Sequence, residues 1–218
     1  MQVEYSINNI EDKEIDIKNS IDIIATYPVS GIMGTIHSIK HIRKILHDKM
    51  PVGCYVDYPL ASSAFARRTD LVKDAIDHGA NIIAITIPFY YMINRKYDKL
   101  REDIAKNFVE CEKYNIELRY ILEYRRFEHS LLAKICDILV ENSITTIYPS
   151  TGFFIDNMDD NIIACAYLTE KSKIKTIVNG NLWQTKQADS IIKMNPPHVS
   201  INNLNGLDIF FSRLNENK

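Results

Sequence analysis

Ile147-Tyr148-Pro149-Ser150-Thr151-Gly152-Phe153 lies near the middle of the 218-residue chain. It closes an apolar, β-branched run, Ile144-Thr145-Thr146-Ile147, and breaks into a turn through Pro149 and Gly152. A helical pattern with Ile162, Ile163, Ala166 and Tyr167 opens behind Asp159, an N-cap type of residue. Strand, small-residue turn and helix start make a geometry suited to anions, because free backbone N–H groups and the positive helix end converge there. Alone, Ser-Thr-Gly is a weak signal. Its weight comes from neighbouring units that share the layout.

Short apolar strand patterns alternate with longer helical ones along the whole chain, which predicts parallel βα units. The first strand runs roughly from Val3 to Ile7 and precedes a charged stretch, Glu11 to Lys18. A second is expected over Ile21 to Thr26, ended by Tyr27-Pro28, with a helix after it bearing Ile36, Ile39, Ile42, Ile45 and Leu46. Further strands are expected at Val52–Val56, Asn81–Ile87, Leu118–Leu122, Ile144–Ile147, Ile174–Val178 and Val199–Ile201. Between them fall amphipathic patterns such as Leu71, Val72, Ala75 and Ile76, which closes on Gly79, and Leu100, Ile104, Phe108 and Cys111. A short amphipathic tail, Leu207 to Leu214, follows the last strand. Eight strands in this order predict a (β/α)8 barrel, read as one domain over residues 1–218 because no linker or low-complexity segment interrupts the pattern. In such barrels the site lies past the carboxyl ends of the strands. Tyr27, Asp57, Thr86, Glu123, Tyr148, Ser150, Asn179 and Asn202 are the polar residues there.

Composition narrows the classes. With 46% hydrophobic and 25% charged residues the chain can build a full core under an ordinary surface. A net charge of −2 gives no electrostatic reason to expect nucleic acid or an anionic membrane as partner. No apolar run approaches a membrane span, and the start, MQVEYSINNIEDKE, lacks signal-peptide features. Cys54, Cys111, Cys136 and Cys165 are widely spaced in apolar stretches, so buried reduced thiols and a cytoplasmic location are expected. His37 and His41 form one i,i+4 pair without a carboxylate at ligand spacing, and no metal site or cofactor is predicted.

Across these motifs the chain resembles the deoxyribose-phosphate aldolase family, class I aldolases on a (β/α)8 barrel. Tyr148-Pro149-Ser150-Thr151-Gly152-Phe153 matches the run that ends the family's sixth strand, close to Lys-Thr-Ser-Thr-Gly-Phe. Tyr27-Pro28, Asp57-Tyr58-Pro59-Leu60-Ala61, Gly79-Ala80-Asn81 with Ile85-Thr86-Ile87-Pro88-Phe89-Tyr90, and Leu118 to Glu123 resemble further family motifs in the same order. Asn179-Gly180-Asn181-Leu182 stands where the family has its phosphate turn, Ser-Gly-Gly-Ile. The resemblance implies a small phosphorylated aldehyde or sugar as ligand and a homodimer as assembly. The departures fall on the chemistry. The Schiff-base lysine is Tyr148, the second lysine falls at Ile177, and the acidic relay residue at Ala84. A class I aldolase needs a partly unprotonated amine and a proton shuttle, and tyrosine, isoleucine and alanine supply neither.

Lost or redirected Schiff-base activity is therefore expected, with a non-catalytic structural or regulatory barrel as the alternative. Tyr148 with Asp57 or Glu123 is the candidate acid–base pair. Lys175, two residues before Ile177, is a candidate amine reaching up the interior, against a plainer reading as a solvated residue at the bottom of the barrel. Ser150, Thr151, Gly152, Asn179, Gly180, Asn181, Asn202 and Asn203 are the candidate phosphate ligands, against a reading as turn and cap residues. Arg119 and Glu123 are expected to form a structural ion pair. Phe89, Tyr90 and Tyr91 are expected to roof the barrel mouth.

Overall fold

A computed structural model describes residues 1–9 and 11–216. Eight parallel strands close a barrel in sequence order: β1 (Gln2–Ile7), β2 (Gly31–Thr35), β3 (Val52–Val56), β4 (Ile82–Thr86), β5 (Glu117–Ile121), β6 (Thr146–Tyr148), β7 (Lys175–Gly180) and β8 (His198–Ile201). Closure is made by β8 on β1, with Gln2 beside His198 and Tyr5 beside Ile201. The helices around it are α1 (Glu14–Ile24), α2 (Ile36–Leu46), α3 (Arg68–Asp77), a one-turn α4 (Phe89–Ile93), α5 (Tyr97–Glu112), α6 (His129–Glu141), α7 (Met158–Lys171), α8 (Thr185–Met194) and α9 (Leu204–Glu216). None of the described helices is long and apolar enough to cross a membrane.

Strand alternation splits the core into two layers. Val3, Tyr5, Ile7, Val52, Cys54, Val56, Ile83, Ile85 and Val178 face outward and pack under the helices. Met33, Tyr55, Ile82, Ala84, Ile121, Tyr148 and Ile177 fill the interior. That second layer is the packed centre of a (β/α)8 barrel, and it sets what space is left at the mouth.

One expected strand is a helix. Ile21 to Ile24 belongs to α1, where Ile17, Ile21 and Ile24 are buried at i, i+4 and i+7. The β-branched cluster Ile21-Asp22-Ile23-Ile24 mimics a strand, but the apolar spacing that the core uses is helical. The true second strand, Gly31-Ile32-Met33-Gly34-Thr35, is disguised by its glycines. Gly34 is required by packing: a Cβ there would lie 2.7 Å from both Ile42 Cδ1 and Ser38 Oγ of α2. Tyr27-Pro28 consequently joins α1 to β2 instead of ending a strand, and Tyr27 stacks on Phe211 at 5.5 Å. The N-cap of α7 is Asn157, whose side chain accepts from the Asp160 N–H at 3.2 Å, so Asp159 lies within the first turn. The aromatics expected to roof the mouth make separate contacts. Phe89 packs on Phe127 and Tyr91 on Phe65, while Tyr90 is exposed.

Candidate functional site

Tyr148 is the last residue of β6 and points inward, 1% exposed. Its hydroxyl donates to Glu4 Oε2 at 2.9 Å and accepts from Arg119 Nη1 at 3.1 Å. Burial, and next the Glu4 carboxylate, hold this phenol well above its ordinary pKa, so it stays neutral and protonated around neutral pH. Arg119 also reaches Glu4 Oε1 and Oε2 at 2.7 and 2.9 Å, and pairs with Glu117 through Nε at 2.9 Å and Nη2 at 2.8 Å. The ion pair expected between Arg119 and Glu123 is therefore replaced by one with Glu4 and Glu117. The strand order explains it: β1 and β5 face each other across the interior, whereas Glu123 lies past the end of β5.

Above Tyr148 the interior is closed by two more rings. Tyr55 meets Tyr148 edge-on at 5.8 Å and stacks on Tyr58 at 5.1 Å. Tyr55 is tied by its hydroxyl to Ser6 Oγ at 2.6 Å, and Ser6 to Ser200 at 2.8 Å. Tyr58 donates to the Thr151 carbonyl at 2.8 Å and accepts from Asn8 Nδ2 at 3.3 Å. Burial raises its phenol to about 12, so this bond persists through neutral pH. Three packed phenols, one pair edge-on and one pair stacked, plug the interior on this side of the mouth.

The turn after β6 is satisfied within itself. Glu123, in a left-handed conformation at φ 52° and 1% exposed, accepts from the Thr151 N–H at 2.9 Å and from the Thr151 hydroxyl. Gly152 N–H donates to Ser150 Oγ at 3.0 Å and Phe153 N–H to Thr151 Oγ1 at 3.2 Å. The turn after β7 is held in the same way. Asn179 Nδ2 donates to the Ser150 carbonyl at 3.0 Å, and Asn181 gives both its N–H, at 3.0 Å, and its side-chain amide to the Asp156 carboxylate. Gly180 carries φ 143°, and a Cβ there would lie 3.0 Å from Asp156 Oδ1. Asn203 clamps Leu182 through its N–H at 2.9 Å and its carbonyl at 3.1 Å. Asn202 extends its amide toward Gly152, with Nδ2 3.6 Å from where a Cβ on that glycine would sit. A carboxylate and a side-chain amide thus occupy backbone donors that a phosphate would use at such a turn.

The remaining candidates lie apart. Asp57 is a structural anion: Oδ1 accepts from Ser63 N–H at 3.0 Å and Oδ2 pairs with Arg68. Arg68, 1% exposed, also holds Asp103 at 2.7 Å and the Thr86 carbonyl at 2.7 Å, and Tyr120 donates to Asp103 at 2.9 Å. Lys175 begins β7 and is exposed at the amino-terminal end of the barrel, the opposite end from Ser150 and Asn179. Among described strand residues it is the one lysine. Sequence reasoning missed Glu4, Tyr55, Tyr58, Arg68 and Asp156. A glutamate at an inward position of an apolar strand, Val3-Glu4-Tyr5, was the available signal for the first of these.

A cavity opens beside this plug, over the ends of β1, β2 and β3. It measures about 620 Å³, with Ile7, Ile36, Val56 and Leu71 as apolar wall and Tyr55, Tyr58 and Phe153 along the side toward the barrel axis. Among the described residues no group of three or more His, Cys, Asp or Glu is placed to hold a metal ion.

No protein-family model matches the chain. Over 180 residues, 82% of this chain and 81% of the other, it is 25% identical to a deoxyribose-phosphate aldolase of Metamycoplasma arthritidis (strain 158L3-1). The solved structure of the aldolase QR15 superposes with a TM-score of 0.83 at 17% identity, covering 99% of this chain and 96% of that one. A tetrameric deoxyribose phosphate aldolase from Aeropyrum pernix gives a TM-score of 0.83 at 11% identity, over 97% and 90% of the two chains. With a closed barrel that superposes on theirs and a sequence likeness spanning most of its length, the chain is an aldolase-like (β/α)8 barrel similar to the deoxyribose-phosphate aldolases.

Proposed function

We propose that this barrel has lost Schiff-base catalysis and works as a small-molecule-binding protein built on an aldolase scaffold. The observation that carries the reading is Tyr148. Where the resemblance implies a reactive amine, a phenol is buried and bonded to Glu4 and Arg119. A phenol forms no imine, and one held above its ordinary pKa is a poor base. Neither partner suggested for an acid–base pair reaches it through a hydrogen bond: Asp57 is taken by Arg68 and Ser63, and Glu123 by Thr151. A phosphorylated aldehyde or sugar would place its phosphate on the turns after β7 and β8, where Asp156 and Asn203 hold the amides of Asn181 and Leu182. Ligand binding is therefore assigned to the cavity beside β1, β2 and β3. Four unpaired, buried cysteines fit a cytoplasmic location.

Borohydride reduction in the presence of acetaldehyde, and separately of deoxyribose 5-phosphate, tests the loss of imine chemistry by intact mass and peptide mapping. The expected result is an unmodified chain. A stable adduct on any lysine, Lys175 included, overturns the proposal. Light scattering on the same samples reads whether the chain pairs as the homodimer that the resemblance implies.

A further inference from the structure

We infer that the cavity over β1, β2 and β3 binds an uncharged, hydroxyl-rich small molecule with one apolar face, a free sugar or polyol, in preference to its phosphate ester. The inference rests on the reading of this chain as a binding barrel and names the ligand class. Size comes first. About 620 Å³ lies within the usual range for small-molecule sites and is ample for a monosaccharide.

Charge decides the class. Among the described residues the lining holds no lysine or arginine and sets two histidines, His37 and His41, against three carboxylates, Asp12, Glu14 and Asp57, so a phosphate would meet more acidic than basic side chains. Two of the three carboxylates in the wall are engaged and the third is solvated. Asp57 is neutralised by Arg68, Asp12 accepts from Asn9 Nδ2 at 2.8 Å, and the Glu14 side chain is 83% exposed, with its nearer partner His41 at 3.9 Å. A cationic ligand therefore finds no desolvated anion waiting for it. The head of α2 is not an open anion site either, because Thr35 and Ser38 cap each other, with Thr35 N–H donating to Ser38 Oγ at 3.0 Å. What the wall does offer is neutral groups, the Asn8 amide oxygen after β1, whose Nδ2 is given to Tyr58, and the Ser62 and Ser63 hydroxyls after β3. An aromatic flank shares the wall with them. Phe153 is 56% exposed, so its ring is free to cover the C–H face of a sugar. An amide oxygen, hydroxyls and an exposed ring in one cavity match a molecule that is polar at its edges and apolar on one face.

Calorimetric titration of the full chain tests this with free 2-deoxyribose, ribose, glucose and myo-inositol, against 2-deoxyribose 5-phosphate and inorganic phosphate. At least one free compound is expected to bind. Carboxylates at the rim of an aqueous cavity repel a phosphate weakly, so its ester should bind roughly tenfold less tightly. Ser62→Trp, at an exposed position whose hydroxyl bonds to none of the described residues, fills the cavity and should weaken binding at least tenfold at unchanged Tm. Phe153→Ala removes the exposed ring and should weaken it by a smaller factor. The inference is overturned if the ester binds as tightly as the free sugar, if binding survives Ser62→Trp, or if no free compound binds. A borohydride adduct would instead defeat the reading of lost imine chemistry, whatever the cavity holds. A silent titration with no adduct defeats only the ligand assigned here.

Discussion

Arg119→Met tests whether a closed charge network holds the barrel interior. Glu4 and Arg119 are 3% and 2% exposed, and one guanidinium nitrogen serves both Glu4 oxygens and the Tyr148 hydroxyl. Removing it leaves Glu4 with the Tyr148 phenol at 2.9 Å and His198 Nδ1 at 3.9 Å as its nearest polar company. A buried carboxylate stripped of its cation costs about 3–5 kcal/mol. With a urea slope of about 3 kcal/mol/M for a chain of this size, the midpoint should fall by roughly 1–1.7 M. Glu4→Gln/Arg119→Met removes both charges and keeps an acceptor for Tyr148. It should recover about 2 kcal/mol or more relative to the sum of the two single changes, because the penalty lies in the orphaned charge. Urea unfolding of wild type, both singles and the double, followed by circular dichroism, completes the cycle. A loss under about 1 kcal/mol for Arg119→Met, or a double equal to the sum of its singles, would refute the network.

Tyr58→Phe deletes the bond to the Thr151 carbonyl and should cost about 1 kcal/mol, a fall of roughly 2–4 °C in Tm by calorimetry. Gly180→Ala places a Cβ at φ 143° and 3.0 Å from Asp156 Oδ1, and the strain and crowding together should cost about 1–3 kcal/mol in urea. His198 titrates below its ordinary value of 6.5 because of burial and then Arg119, with Glu4 and Glu117 opposing. A depressed folded-state pKa contributes stability that is present above 6.5 and lost as pH falls through the lower folded value. The urea midpoint of wild type should therefore drop between pH 7 and pH 5, and His198→Gln should flatten that part of the curve.

Most of the barrel was legible because its signals are local. Seven strands and the amphipathic helices between them follow from apolar periodicity, proline stops and Gly79, and a strand slipped by one residue would expose its core face. The exception shows the limit of that logic. Ile21-Asp22-Ile23-Ile24 is helical and Gly31-Ile32-Met33-Gly34 is the strand, because Gly34 answers to α2, a neighbour that the strand's own composition does not reveal. The site was legible as positions and not as partners. Tyr148, Glu123, Asp57 and the Asn179 turn do fall at or just past strand ends, yet each is bonded to a residue whose role no short window could indicate.

The sequence by itself determined the parallel βα order, the sixth-strand turn and the absence of lysine at Tyr148 and Ile177. Those are properties of residue type and spacing, and they hold wherever the chain goes. Only the tertiary structure decided that Tyr148 meets Glu4 from 144 residues away, that Tyr55 meets it edge-on and stacks on Tyr58, and that Asp156 takes the amide of Asn181. The physical reason is closure. Joining β8 to β1 brings inward side chains from every strand into one small volume, where charge must be paired and space filled, and only the closed barrel selects the partners.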